Sequence, residues 1–320
     1  MRVLSGKTVL LTGATGFIGA HLARRLESIP GCRLALLSRR EVPGASGGSA
    51  WVRGDLAQLS PRTWSEQGLD RIDVVLHFGG YIPKRQGSAN VVSENYRDNL
   101  LGTRNLLESL PNTPETVVFA STVDVYALPT GDDVLSENSP VDPPTLYGAA
   151  KLFCEHLVKT YAKEHGCRFA VLRLGHIYGP GESAYAKLIP QSIKRLLANE
   201  SPKVYGNGGA LRDFLFVGDV VEAALRAATF ASASIEPVNI VSGTSRPIRE
   251  IVETLARLIG FSGEISYQLD KPNGHSLVFD NRRMVDVLGR WDFVPLKEGL
   301  LQEVAEIRSG LAANGACSAS

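Results

Sequence analysis

A tyrosine and a lysine stand four residues apart in TLYGAAKLF (145–153), and that spacing puts Tyr147 and Lys151 one above the other on a helix face. A phenol with an unperturbed pKa of ~10 is a poor acid–base group at neutral pH. A neighbouring ammonium favours the phenolate and brings such a group into working range. The pair alone is common in helices, so its meaning depends on what surrounds it. Just upstream, an apolar run ends in FASTVDVYA (119–127), which places Thr122, Val123, Asp124 and Tyr126 at the end of a strand. These side chains mark either a reactive site or a capped strand end.

A second cluster lies near the N-terminus. GATGFIG (13–19) follows an apolar run and opens a helical pattern. Gly13 permits the tight turn, Gly16 lets the backbone approach a pyrophosphate, and Gly19 lets helix and strand pack closely. The free N–H groups of the helix N-terminus favour an anion there. Thr15, Phe17 and Ile18 complete this candidate dinucleotide loop, and Phe78, Gly79 and Gly80 follow a later strand as further candidates. A side chain at the end of the second strand should read the adenosine ribose: an acid bonds a 2′-hydroxyl, whereas a cation accommodates a 2′-phosphate. RLALLSRR (33–40) ends in Ser38, Arg39 and Arg40. Two guanidiniums and a hydroxyl suit a phosphate, so NADP(H) is favoured and NAD(H) remains possible. The alternative is a solvated basic loop. Asp55, before Leu56 in GDL (54–56), could meet the adenine amino group or cap a turn.

The elements that must hold these groups alternate. TVLLT (8–12), RLALL (33–37), DVVLHF (73–78), TVVFAS (116–121) and RFAVLRL (168–174) read as strands buried on both faces. Helical patterns lie between them at 20–28, 95–110 and 147–165. This order implies a Rossmann-type α/β fold, a doubly wound parallel sheet, over 1–175. Beyond it, 176–212 and 244–310 read as a smaller C-terminal α/β substrate lobe, with 213–243 returning to the first. Helices are expected near 218–230, 246–259 and 297–309. REVPGASGGSA (40–50) reads as a loop and 311–320 as a frayed tail.

The 320 residues suffice for a large core. A net charge of +1 gives no support for a nucleic-acid partner or a polybasic membrane contact. No apolar run approaches the ~20 residues of a membrane span, and the N-terminus lacks the pattern of a secretory signal. Cys32, Cys154, Cys167 and Cys317 have no metal-like spacing, so free thiols in a cytoplasmic setting are expected, and no metal site.

With these motifs together, the chain resembles the extended short-chain dehydrogenase/reductase family of nucleotide-sugar epimerases, dehydratases and ketoreductases. The likeness runs through GATGFIG, DVVLHFGG, ASTVDVY, YGAAK, LRLGHIYGPGE (172–182), RDFLFVGDVVEA (212–223) and LKEGL (296–300). It implies a nicotinamide cofactor in the first lobe, a nucleotide-sugar substrate below the second, and a catalytic set of Thr122, Tyr147 and Lys151. In that reading Thr122 and Tyr147 bond the reacting sugar oxygen, Tyr147 moves the proton, and Lys151 also holds the nicotinamide ribose. Arg212 matches a diphosphate-binding arginine, or forms an ion pair with Asp213. His176 contacts substrate or is structural. Asp124 touches substrate or caps its loop. Relatives often dimerise through four helices, which here would be 95–110 and 147–165.

Three departures narrow the reaction. Val123 stands where 4,6-dehydratases carry an acid. Ser38 stands where NAD-holding epimerases carry Asp. KPNG (271–274) replaces an Arg-Pro-Gly-acidic motif and looks like the GDP-fucose synthase branch, leaving Lys271 or Arg283 to supply a cation. Together they favour NADPH-dependent reduction of a nucleotide-linked 4-keto, 6-deoxy sugar over 4-epimerisation, with a 4,6-dehydratase or a non-catalytic dinucleotide-binding protein further behind.

Overall fold

The computed structural model describes residues 4–40, 49–85, 87–131, 133–230 and 233–317. Seven strands form its central sheet: β1 (Thr8–Thr12), β2 (Arg33–Ser38), β3 (Ser49–Arg53), β4 (Val74–His77), β5 (Thr116–Thr122), β6 (Arg168–Leu174) and β7 (Ile235–Ile240). Their order is β7-β6-β5-β4-β1-β2-β3 and every pair is parallel. The order reverses between β1 and β4, and that switch point is where an open α/β sheet leaves a crevice at its carboxyl edge.

Both faces of the sheet are covered, which is why the strands read as unbroken apolar runs. Val9, Leu11, Leu34, Leu36 and Leu76 enter one core with Leu22 and Leu26 of α1 (Phe17–Glu27). Leu10, Ala35, Leu37, Val75 and Phe119 enter the other. There they meet Leu106 of α2 (Gly102–Ser109) and Cys154 and Val158 of α3 (Leu146–His165). Thr145 caps α3 by accepting the Gly148 N–H at 3.2 Å, which fixes where Tyr147 begins its turn.

Beyond β6, Ser245–Pro247, Leu211–Phe216 and His176–Tyr178 make a three-stranded sheet. Helices α4 (Leu188–Leu197), α6 (Ile248–Ile259) and α7 (Leu296–Cys317) accompany this sheet, whereas α5 (Val217–Thr229) packs against α1 and the main sheet. Val134–Leu135 pairs with Val278–Phe279 and ties the two halves of the chain together.

The structure differs from the sequence expectation in four places. The return to the main sheet begins at Val217, not 213, because Leu211–Phe216 pairs in the small sheet. β3 was not foreseen; of the expected 40–50 loop, 41–48 lies outside the described residues and Ser49 already starts a strand. The expected single helix over 95–110 contains a π-helical stretch, Asn95–Leu101. Helix α7 runs through most of the tail expected to fray, since Leu311, Ala312 and Ala313 continue a helix readily.

Candidate active site

The cleft lies at the carboxyl ends of β1, β2, β4 and β5 and has two stretches. Gly13, Thr15, Gly16, Leu37, Ser38, Arg39, Asp55, Leu56, Gly79 and Gly80 line the first. Phe17, Ile18, Gly19, Phe78, Thr122, Val123, Asp124, Tyr147, Lys151 and His176 line the second. Gly16, Ile82 and Tyr185 line both, so the two are continuous.

The first stretch fits a dinucleotide by its shape. Gly13 has φ +72°, and a Cβ there would come within 2.7 Å of the Phe78 carbonyl and the Gly79 N–H. Gly16 is the N-cap of α1, whose first turn carries no acid, so its free N–H groups face the cleft without a competing charge. The floor is braced from below: Thr12 Oγ1 accepts the Gly79 N–H at 2.9 Å and lies 2.7 Å from His77 Nδ1, while His77 Nε2 lies 3.0 Å from Thr103 Oγ1. Burial, aided by the Lys151 charge, lowers the His77 pKa to about 3, so this brace is a neutral imidazole.

At the far wall Ser38 is buried and its hydroxyl accepts the Arg40 N–H at 3.2 Å. Arg39 lines the cleft, whereas Arg40 is exposed outside the lining. Asp55 lines the cleft and also caps a turn. Its Oδ1 caps the Leu56–Gln58 turn by accepting the Ala57 N–H at 3.0 Å, and its Oδ2 pairs with Arg97. Arg97 pairs also with Asp98, which lines the cleft too.

In the second stretch Thr122, Tyr147 and Lys151 come together and are nearly buried. Thr122 is within hydrogen-bonding reach of the Tyr147 phenol. Burial pushes that phenol well above its usual range, and the nearby Asp124 carboxylate and Tyr185 add to the rise while Thr122 opposes it. The expected lowering by Lys151 is absent. Its Nζ sits 4.6 Å from the Phe119 ring centroid, a cation–π contact, and burial lowers the ammonium pKa to about 8. Tyr147 is therefore protonated at neutral pH in this arrangement.

Asp124 does not cap the loop. Thr122 does, accepting the Asp124 N–H at 3.2 Å, and the Asp124 side chain faces the cleft. That face is accessible, yet protein surrounds it closely enough to raise the carboxyl pKa by burial. Val123 is buried against the same cleft. Tyr126 turns away, donating to Asn239 Oδ1 at 2.7 Å. His176 Nδ1 has no partner among the described residues, and burial, then Arg212 and Lys187, lowers its pKa to about 3.

Arg212 forms no ion pair with Asp213, whose carboxylate instead accepts the Ser242 and Gly243 N–H groups at 2.8 Å each. Arg212 Nη1 donates to the carbonyls of Leu211 and His275, at 2.8 and 2.5 Å. It lines a separate hollow with Tyr178, Phe214 and Arg246, its cross-strand partner. Arg246 also pairs with Glu250, and an anion in the hollow would meet both guanidiniums. The spacing gave no hint of Arg246, because only antiparallel pairing brings it beside Arg212. Arg283 and Lys271 are exposed and line none of these clefts. Among the described residues no cluster could hold a metal ion, and no helix is long and apolar enough to cross a membrane.

The model of the NAD dependent epimerase/dehydratase family matches residues 9–241. A Methanocaldococcus jannaschii protein named "Putative UDP-glucose 4-epimerase" is 30% identical over 92% of this chain and 97% of its own. A Streptomyces dTDP-4-dehydro-6-deoxy-D-allose reductase is 28% identical over 92% and 94%. The solved structure of MoeE5 in complex with UDP-glucose and NAD superposes with a TM-score of 0.81, at 31% identity, over 95% of this chain and 99% of that one.

Proposed function

Because the chain belongs to the NAD-dependent epimerase/dehydratase family of nucleotide-sugar enzymes, we propose that it is an NADPH-dependent reductase of a nucleotide-diphosphate 4-keto sugar, a 6-deoxyhexose. The observation that carries this reading is the wall of the adenosine end: Ser38 and Arg39 close it where a carboxylate of β2 would select NAD. A cofactor consumed and exchanged each turnover suits a net reduction. The protonated Tyr147 phenol is the state a reduction needs, since the new alcohol takes a proton. Val123, which cannot donate one, argues against dehydration.

When bound, the cofactor supplies a hydride. This chain's residues would do the rest. The Gly13–Gly19 loop and the N-terminus of α1 would hold the pyrophosphate. Thr122 and Tyr147 would bond the sugar O4, with Tyr147 giving it the proton. Lys151 would hold the nicotinamide ribose and, as a cation below about pH 8, would offset the charge of the Tyr147 phenolate until solvent returns its proton. Arg212, with Arg246 beside it, would clamp the substrate diphosphate, and His176 would contact the sugar nucleotide between the two sites. The Cys32, Cys154 and Cys167 thiols are unbridged, which suits a cytoplasmic setting.

A 4-epimerase is the second reading, favoured by the likeness to the Methanocaldococcus jannaschii protein named "Putative UDP-glucose 4-epimerase" and by the NAD bound in the MoeE5 structure. Stoichiometry separates the two. A reductase consumes one NADPH for each sugar converted, whereas interconversion of two sugars with no loss of absorbance at the NADPH band means an epimerase.

A homodimer also fits. Val92, Tyr96 and Phe153 are 68%, 60% and 52% exposed on the neighbouring helical segments 92–109 and 146–165. Large apolar groups clustered on one face mark an interaction surface. Phe153→Asp should convert a dimer to a monomer in sedimentation experiments; a wild-type monomer at micromolar concentration refutes the assignment.

A further inference from the structure

The adenosine end of the cleft carries a charge that no motif assigned. Asp98, on the π-helical stretch Asn95–Leu101, lines the cleft with Ser38, Arg39 and Asp55. One of its oxygens pairs with Arg97, and the other lies 3.9 Å from Arg39 Nη1. Arg97 pairs in turn with Asp55, which is fixed by its capping bond to Ala57. Charges therefore alternate Asp55, Arg97, Asp98, Arg39 along the wall, and Arg39, 66% exposed, is the loose end.

We propose that Asp98 is the residue that sets cofactor choice in this cleft, by holding Arg39 and by supplying from the π-helical stretch the carboxylate that the end of β2 lacks. The proposal rests on the reading of this cleft as a dinucleotide site. A 2′-phosphate would have to take Arg39 from Asp98 while lying in the field of that carboxylate, and like charges in a half-exposed site repel. A 2′-hydroxyl meets no such repulsion and can donate to the carboxylate. The wall thus holds a cation suited to NADP(H) and an anion suited to NAD(H), within salt-bridge distance of each other. Asp98 thus narrows the NADPH preference set by Ser38 and Arg39 without reversing it.

Titrating the full-length protein with NADPH and with NADH, followed by cofactor fluorescence, tests this in the wild type, Asp98→Asn, Arg39→Gln and the double variant. Asp98→Asn should raise the preference for NADPH about tenfold, the order expected when one like charge is removed and a bond from a hydroxyl to a charged group is lost. Much of that gain should vanish when Arg39 is also replaced, since coupled groups do not add. A preference unchanged within about twofold overturns the proposal, as does a gain that is fully retained without Arg39. If Asp98→Asn binds neither cofactor, Asp98→Ser is read in its place, with NADH binding as the sign of an intact fold. Failure of the wild type to bind either dinucleotide overturns the reading of the cleft instead.

Discussion

Glu303 should make this protein lose stability as pH rises through neutrality, and Glu303→Gln should remove that loss. The residue reaches from α7 under the YGPGE loop, where its Oε2 accepts the Gly179 N–H at 3.0 Å. It is fully buried, and its Oε1 has no partner among the described residues. Burial, with Glu182 next, raises its pKa from 4.5 to about 9. Below pH 4.5 both folded and unfolded chains hold the proton. Above that the unfolded chain releases it first, so stability falls until the folded carboxyl also ionises near 9. One proton corresponds to about 1.4 kcal/mol per pH unit. Between pH 6 and 8 the wild type should therefore lose roughly 2–3 kcal/mol relative to Glu303→Gln, whose amide keeps the shape of the protonated acid. Urea denaturation followed by tryptophan fluorescence at both pH values measures this. Parallel pH dependence in the two proteins would refute the reasoning.

Other outcomes follow from the same geometry. Tyr147→Phe should lower kcat about 10²- to 10⁴-fold with dinucleotide binding retained, because only a proton donor is removed; fluorescence titration and turnover measure the two separately. Arg212→Gln should raise KM for a nucleotide sugar about 10- to 100-fold with little change in kcat, the magnitude of a lost charged hydrogen bond. An equal loss in kcat would instead place Arg212 in the chemical step. Glu155→Gln should unfold the protein at lower urea by roughly 3–5 kcal/mol, since Glu155 accepts from Arg173 at 3.0 and 2.9 Å and from Ser121 at 2.5 Å in a buried network.

Period and glycine spacing made the first half of the fold legible. Val9, Leu10 and Leu11 point to opposite cores, yet all are buried, and a run of that kind suits only a covered parallel strand. The glycine loop and the Tyr147–Lys151 pair were legible because backbone shape and helix pitch are local properties. The ion pairs were not. Arg97 with Asp55 and Arg173 with Glu155 join segments far apart in the chain, and no local pattern encodes them. For the same reason the sequence could not show that Lys151 would settle on Phe119 rather than against Tyr147. The π-helical stretch that carries Asp98 escaped because its apolar spacing still resembles an α-helix.

The central claim, net reduction at the sugar, is tested most directly by isotope. NADPH deuterated at C4 of the nicotinamide is incubated with the protein and a nucleotide-linked 4-keto-6-deoxyhexose, and the sugar is then examined by NMR. Deuterium should appear at C4 of the released sugar, matched by an equal amount of oxidised cofactor. A 4-keto sugar recovered unreduced and unlabelled with no NADPH consumed, while a nucleotide-linked sugar bearing a C4 hydroxyl inverts at C4 and keeps its own hydrogen, would contradict the claim.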